Sequence, residues 1–182
     1  MSPTSQHPRP EVLISEERIA ARVDELAAQI SADYADADDL LLVGVLRGAF
    51  IFLADLSRAL SIPCAVDFLS VASYDGTEQG GVRLILDLRK SIEGRHVLLV
   101  EDIVDSGHTL EFLARTLRAR QPASLKTCAL TRKPGRLEVD APVDYLGFDI
   151  PDEWVVGYGL DLDDRGRALP YIGVVDPTTI EG

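Results

Sequence analysis

Apolar residues along the chain follow two rhythms. From Ser15 onward, Ile19, Val23, Leu26 and Ile30 recur at helical spacing, and Glu16 and Glu17 fall in the first turn, where the helix dipole favours acids. This predicts a helix packed along one stripe. Leu40 to Leu46 reads as a strand covered on both faces; it passes through a tight turn at Arg47-Gly48 into a helix, Ala49 to Leu60, with Phe50, Leu53, Ala54 and Leu60 inward. Further strands are expected at Cys64 to Val71, after Pro63, and at Val82 to Leu88, with a turn at Glu93-Gly94. Val97 to Val100 is another buried run, after which Leu110, Leu113, Ala114 and Leu117 return to helical spacing, giving strand, loop and helix in succession. Ser124 to Leu130 is the next strand, and Tyr145 to Ile150 and Val155 to Tyr158 read as short strands. Such alternation predicts the α/β class: a central, mainly parallel sheet flanked by helices.

The length of 182 residues suits one domain, predicted here as residues 11–182, after a disordered tail at 1–10 that carries three prolines and no apolar periodicity. A net charge of −12 argues against a general binder of nucleic acid or of anionic membranes, which needs a basic surface. An anionic small substrate is still compatible with it, since a local basic site suffices. The longest apolar segment, Leu40 to Ala54, is interrupted by Arg47 and falls short of the ~20 residues that cross a bilayer. Cys64 and Cys128 stand alone, without metal-ligand spacing, and no signal-like apolar region follows the start, so a cytoplasmic setting is expected.

The candidate chemistry lies between the Val97 strand and the helix after it. Glu101 and Asp102 are expected to end the strand, and Asp105, Ser106, Gly107 and Thr109 lead into a helix N-terminus, where backbone N–H groups and the dipole favour an anion. Bare phosphate would be repelled by three acids. A phosphorylated sugar suits them, because its hydroxyls donate to carboxylates and its charge can recruit Mg²⁺. The plain alternative is that the acids cap a strand and that Ser106 and Thr109 are ordinary helix caps.

The stretch E-D-I-V-D-S-G-H-T, Glu101 to Thr109, resembles the phosphoribosyl-pyrophosphate motif of the type I phosphoribosyltransferases, in their hypoxanthine-guanine branch. That resemblance implies a type I fold with a small hood built from the N-terminal segment and about 145–175. It also implies how the ligand is held. Glu101 and Asp102 would hold the ribose hydroxyls; the backbone of Asp105 to Thr109, including Gly107 and His108, with the Ser106 and Thr109 hydroxyls, would hold the 5′-phosphate. Leu46-Arg47-Gly48 resembles the turn that binds pyrophosphate, often through a cis peptide, although the family often has Lys at the position of Arg47. Ser73 and Tyr74 match the Ser-Tyr pair of the family's closing loop, and the stretch to Gly81 reads either as that lid or as a plain hairpin.

For the base, Lys133 resembles the lysine that recognises the purine 6-oxo group, while its neighbour Arg132 stands where the family often has an acid. P-D-E-W-V-V-G-Y-G-L-D, Pro151 to Asp161, resembles the base-binding hood, with Trp154 stacking on the purine and the Val155 backbone at its edge. By base rate alone a single Trp is core. Asp161 would lie near Mg²⁺ and pyrophosphate, with Glu101 and Asp102 completing the metal set, and Arg167 would reach the pyrophosphate. Asp105 is the expected catalytic base, accepting a proton from N7 as N9 attacks; His108 is the alternative.

The implied activity is purine salvage: transfer of 5-phosphoribose from phosphoribosyl pyrophosphate to hypoxanthine and guanine, giving IMP and GMP, by a homodimer or homotetramer. A xanthine-preferring enzyme and a non-catalytic nucleotide-binding regulator on the same fold are the alternatives. Lys133 disfavours adenine, because a donor suits a 6-oxo acceptor and not an amino group.

Overall fold

In the computed structural model, residues 10–74 and 81–179 are described. Residues 1–9 of the tail expected at 1–10, and the centre of the expected lid, 75–80, lie outside them. The chain forms β1 (Glu11–Ile14), α1 (Glu16–Asp33), β2 (Leu40–Leu46), α2 (Phe50–Ala59), β3 (Cys64–Tyr74), β4 (Gly81–Leu86), β5 (His96–Val104), α3 (His108–Arg118), β6 (Ser124–Arg132), β7 (Tyr145–Asp149), β8 (Val155–Val156) and β9 (Ile172–Val174).

Six strands form one sheet in the order β4-β3-β2-β5-β6-β7, parallel throughout except for β4, which runs antiparallel to β3. Alternate residues of each central strand serve opposite faces, as the pleat requires. Leu40, Leu42, Leu98, Val100, Cys128 and Leu130 pack against α1 and α2. Leu41, Val43, Leu99 and Ala129 pack with Leu110, Leu113 and Leu117 of α3. Both faces are therefore buried, which explains the uninterrupted apolar runs.

A second, three-stranded antiparallel sheet has the order β1-β9-β8, so the two chain-terminal regions meet. It packs on the α1 and α2 side through Ile14, Val155, Tyr158 and Ile172. Tyr158 Oη donates to Asp55 of α2 at 2.5 Å, tying the small sheet to the core.

Four local expectations are corrected. β7 joins the large sheet, pairing with β6, so the small sheet draws on the chain from β8 onward and not from residue 145. The inward face of α2 is Phe52, Leu53 and Leu56, whereas Phe50 is 43% exposed and Ala54 faces solvent. The helix starts at Phe50 itself, and the stripe nearest the sheet is set by where the preceding turn aims the axis. β5 runs on to Val104, so Glu101 and Asp102 are strand residues and not loop residues. β6 likewise continues to Arg132, whose guanidinium pairs with Asp149 of β7 at 2.8 Å. In both strands the ladder continues because the neighbour does: Glu101 pairs with Ala129, Ile103 with Thr131 and Val104 with Arg132.

Candidate active site

The carboxyl ends of β2, β5 and β6 lie side by side, where open α/β sheets bind ligands. Arg47 and Gly48 leave β2, and the Leu46–Arg47 peptide is cis. Gly48 is required by its neighbour, because a Cβ there would overlap the carboxyl oxygen of Asp102. Gly159, at φ 101°, comes down on the same turn, and its own Cβ would overlap the Gly48 carbonyl oxygen. Two glycines thus let three segments converge. Gly48→Ala is expected to destabilise the fold by about 1–3 kcal/mol through overpacking, seen as a lower denaturation midpoint; an unchanged midpoint would mean that Asp102 is free to turn away.

Glu101 and Asp102 are consecutive on β5 and so point to opposite faces. The Glu101 side chain is buried, its Oε1 has no hydrogen-bond partner, and burial with the nearby Asp102 charge pushes its carboxyl well above the usual range. Asp102 is pushed up to about 6, chiefly by burial; backbone N–H groups and Arg167 pull it down, and Asp161 pushes it up. Thr131 Oγ1 donates to the Asp102 carbonyl at 2.9 Å and anchors this end of the strand.

Beyond Val104 the chain turns into α3 through Asp105, Ser106 and Gly107. Gly107 is the N-cap at φ 90°, and no side chain caps the helix, so neither Ser106 nor Thr109 acts as the ordinary cap that local sequence allows. The loop is pinned instead through its carbonyls: Ser106 O accepts from Glu138 N at 3.0 Å, and Gly107 O from Glu111 N at 3.0 Å. The exposed backbone donors at this terminus suit an anion. His108 Nε2 hydrogen-bonds Glu138 Oε2 at 3.0 Å, on a half-exposed side chain.

Lys133, which follows β6, is 7% exposed, and its Nζ lies 3.5 Å from Asp105 Oδ2, 3.6 Å from Asp152 Oδ1 and 6.0 Å from the Trp154 ring centre. Trp154 is 57% exposed, so it is not the core residue that its base rate suggests. Val155 beside it is buried in β8. Arg136 was not legible as a site residue, yet its Nε meets Asp105 Oδ1 at 3.0 Å and Asp152 Oδ1 at 3.7 Å. Its only signal is its place three residues beyond Lys133, across a Pro-Gly turn.

Arg167 donates to the Gly159 carbonyl at 2.8 Å and pairs with Asp161 at 2.7 Å. Arg47 pairs with Asp164 at 2.6 Å. Ser73 and Tyr74 are the last residues of β3, paired with Val82 and Gly81 in a hairpin arrangement. Asp164 and Phe50, which sequence reasoning passed over, line a cavity of about 500 Å³ with Leu46, Arg47 and Arg167.

Among the described residues no three acids, histidines or cysteines gather as a metal cluster. Glu101, Asp102 and Asp161 are thus not one ligand set, because strand alternation turns Glu101 away from Asp102. Asp102 and Asp161 do lie close enough to influence each other. A pair of carboxylates beside a phosphate site fits Mg²⁺, which is commonly held by one or two carboxylates with phosphate oxygens and water.

A family profile described as a phosphoribosyl transferase domain matches residues 13–163. The chain belongs to the phosphoribosyltransferase family. A hypoxanthine-guanine phosphoribosyltransferase of Mycobacterium tuberculosis is 48% identical over 173 residues, covering 91% of this chain and 86% of that one. A hypoxanthine phosphoribosyltransferase of Haemophilus influenzae is 48% identical over 169 residues, covering 91% and 94%. The solved structure of the Trypanosoma cruzi hypoxanthine phosphoribosyltransferase with its product IMP superposes with a TM-score of 0.88 at 42% identity, covering 97% of this chain and 99% of that one. The large sheet with α-helices on both faces is accordingly the phosphoribosyltransferase core, and the acidic strand end with its helix N-terminus occupies the centre of the matched region.

Proposed function

We propose that the chain is a purine-salvage enzyme that transfers 5-phosphoribose from phosphoribosyl pyrophosphate to N9 of hypoxanthine and guanine, releasing pyrophosphate and giving IMP and GMP. The large sheet and the small terminal sheet act as core and hood of one domain. The observation that carries this reading is the placement of Lys133: a buried amine between the Asp105 carboxylate and the Trp154 ring. A planar base seated on Trp154 would present its 6-oxo acceptor to Lys133 and its five-membered ring to Asp105.

As N9 attacks C1′, the C1′–oxygen bond to pyrophosphate breaks, positive charge builds on the sugar and negative charge on the leaving group. Asp105 accepts the N7 proton that the attacking ring must lose. The Asp102 carboxylate faces the ribose hydroxyls and the developing positive charge. The Gly107–Thr109 terminus of α3 holds the 5′-phosphate, and Arg47 and Arg167 hold the pyrophosphate. Asp102 and Asp161 would hold Mg²⁺, which would supply further neutralisation of the leaving group. The enzyme works as a cytoplasmic homodimer or homotetramer.

The test is pyrophosphate release from phosphoribosyl pyrophosphate with Mg²⁺, offering hypoxanthine, guanine, xanthine and adenine separately. Turnover with hypoxanthine and guanine is expected. Turnover restricted to adenine would overturn the role of Lys133, turnover restricted to xanthine, which also carries a 6-oxo group, would favour the xanthine-preferring alternative, and silence with all four would favour a regulator.

A further inference from the structure

The turn after Asp161 carries two consecutive carboxylate residues in the left-handed region, Asp163 at φ 52° and Asp164 at φ 61°. Asp164 N donates to Asp161 Oδ2 at 2.8 Å, which holds this shape. Asp164 Oδ1 is thereby brought 2.6 Å from Arg47 Nη2 and 3.1 Å from Arg167 Nη2. One carboxylate oxygen bridges two guanidiniums from different sides of the site. The cavity of about 500 Å³ opens beside this bridge, lined by both arginines and by Asp164.

A carboxylate and a phosphate offer guanidinium forks the same kind of acceptor. We propose that Asp164 is a built-in competitor for the pyrophosphate subsite: it occupies Arg47 and Arg167 in the free chain and gives way to the pyrophosphate group of substrate or product. This rests on the assignment of those two arginines to pyrophosphate. The Arg47 arm of the bridge is exchangeable, because Asp164 and Arg47 are 60% and 66% exposed and ion pairs in that setting are weak and screened, while the less exposed Arg167 also keeps Asp161 as a partner. Its effect is to weaken the hold on pyrophosphate at both ends of the reaction, which favours release of the product.

Asn is among the residues best suited to a left-handed φ, so Asp164→Asn removes the charge and keeps the turn. The measurement is the inhibition constant of inorganic pyrophosphate against phosphoribosyl pyrophosphate, with Mg²⁺ and the full chain. Asp164→Asn is expected to tighten pyrophosphate binding about three- to tenfold, the size of two screened ion pairs. The gain should shrink as salt is raised. Asp163→Asn, which removes the same charge from a residue with no ion pair to either arginine among the described residues, is expected to change it less than about twofold. Weaker binding in Asp164→Asn would mean that Asp164 positions the arginines, and unchanged binding that it does not compete; either result overturns the proposal. Arg47→Ala and Arg167→Ala separate the two levels of argument: if neither weakens pyrophosphate binding, the assignment of the arginines fails, whatever Asp164→Asn does.

Discussion

Asp105→Ala is expected to lower kcat by about 10²–10⁴-fold, the usual contribution of a positioned general base, with a much smaller change in the KM for phosphoribosyl pyrophosphate. The geometry supports that split. Asp105 Oδ2 lies 3.5 Å from Lys133 and Oδ1 lies 3.0 Å from Arg136, so the carboxylate is held at the purine side of the site and not at the phosphate terminus. Its loss does not strand a buried charge, because Asp152 remains 3.6 Å from Lys133. The substitution therefore removes the proposed proton acceptor and leaves Lys133 paired. His108→Ala is the companion measurement: its ring is engaged by Glu138, and a change of no more than about threefold in kcat is expected, within the range of a surface hydrogen bond. A large loss in His108→Ala with a small one in Asp105→Ala would reverse the two roles.

Asp102→Asn is expected to abolish most turnover and, at the same time, to make the free protein more stable at neutral pH. In the folded chain Asp102 is pushed up to about 6 from an ordinary 3.8, chiefly by burial. Between those two values the folded state holds a proton that the unfolded state has released. Stability therefore falls as pH rises through that window, and the ionised carboxylate costs ~3 kcal/mol above it. An amide carries no charge to bury, so a net gain of about 1–3 kcal/mol at pH 7 is expected, after allowance for its own unmet hydrogen bonds. At pH about 4, near the unfolded value, the gain should vanish. Unfolding of both proteins at the two pH values, without Mg²⁺ or substrate, makes the comparison. A variant that is less stable at both would show that the carboxylate is fully compensated by its surroundings. The physical point is that a ribose site must keep a desolvated carboxylate before its cationic and hydroxyl partners arrive, and the fold bears that cost.

Much of the site could be read from residues close together in the chain. Glu101 to Thr109 was legible because a strand, a glycine turn and a helix N-terminus are all local patterns, and the same holds for the hood segment Pro151 to Asp161. Trp154 illustrates the limit: its type favours core, and only the folded chain shows it exposed beside Lys133. Arg136 and Asp164 had no local pattern to mark them. Each matters through a partner far along the chain, and a charge opposite another charge leaves no trace in either residue's own surroundings.

By itself the sequence determined the α/β order, the strand-turn-helix after Val97 and the clustering of acids in it, since periodicity and glycine turns act over a few residues. Tertiary structure decided where strands end, which face of α2 is buried, and which charges meet. β5 and β6 continue past their apolar runs because backbone hydrogen bonding depends on the neighbouring strand and not on side-chain polarity. Strand alternation then sends Glu101 and Asp102 to opposite faces, so three acids that look like one metal set are not one. Arg47 finds Asp164 only when the turn after Asp161 is folded onto the core, because Coulomb energy depends on distance in space and is indifferent to distance along the chain.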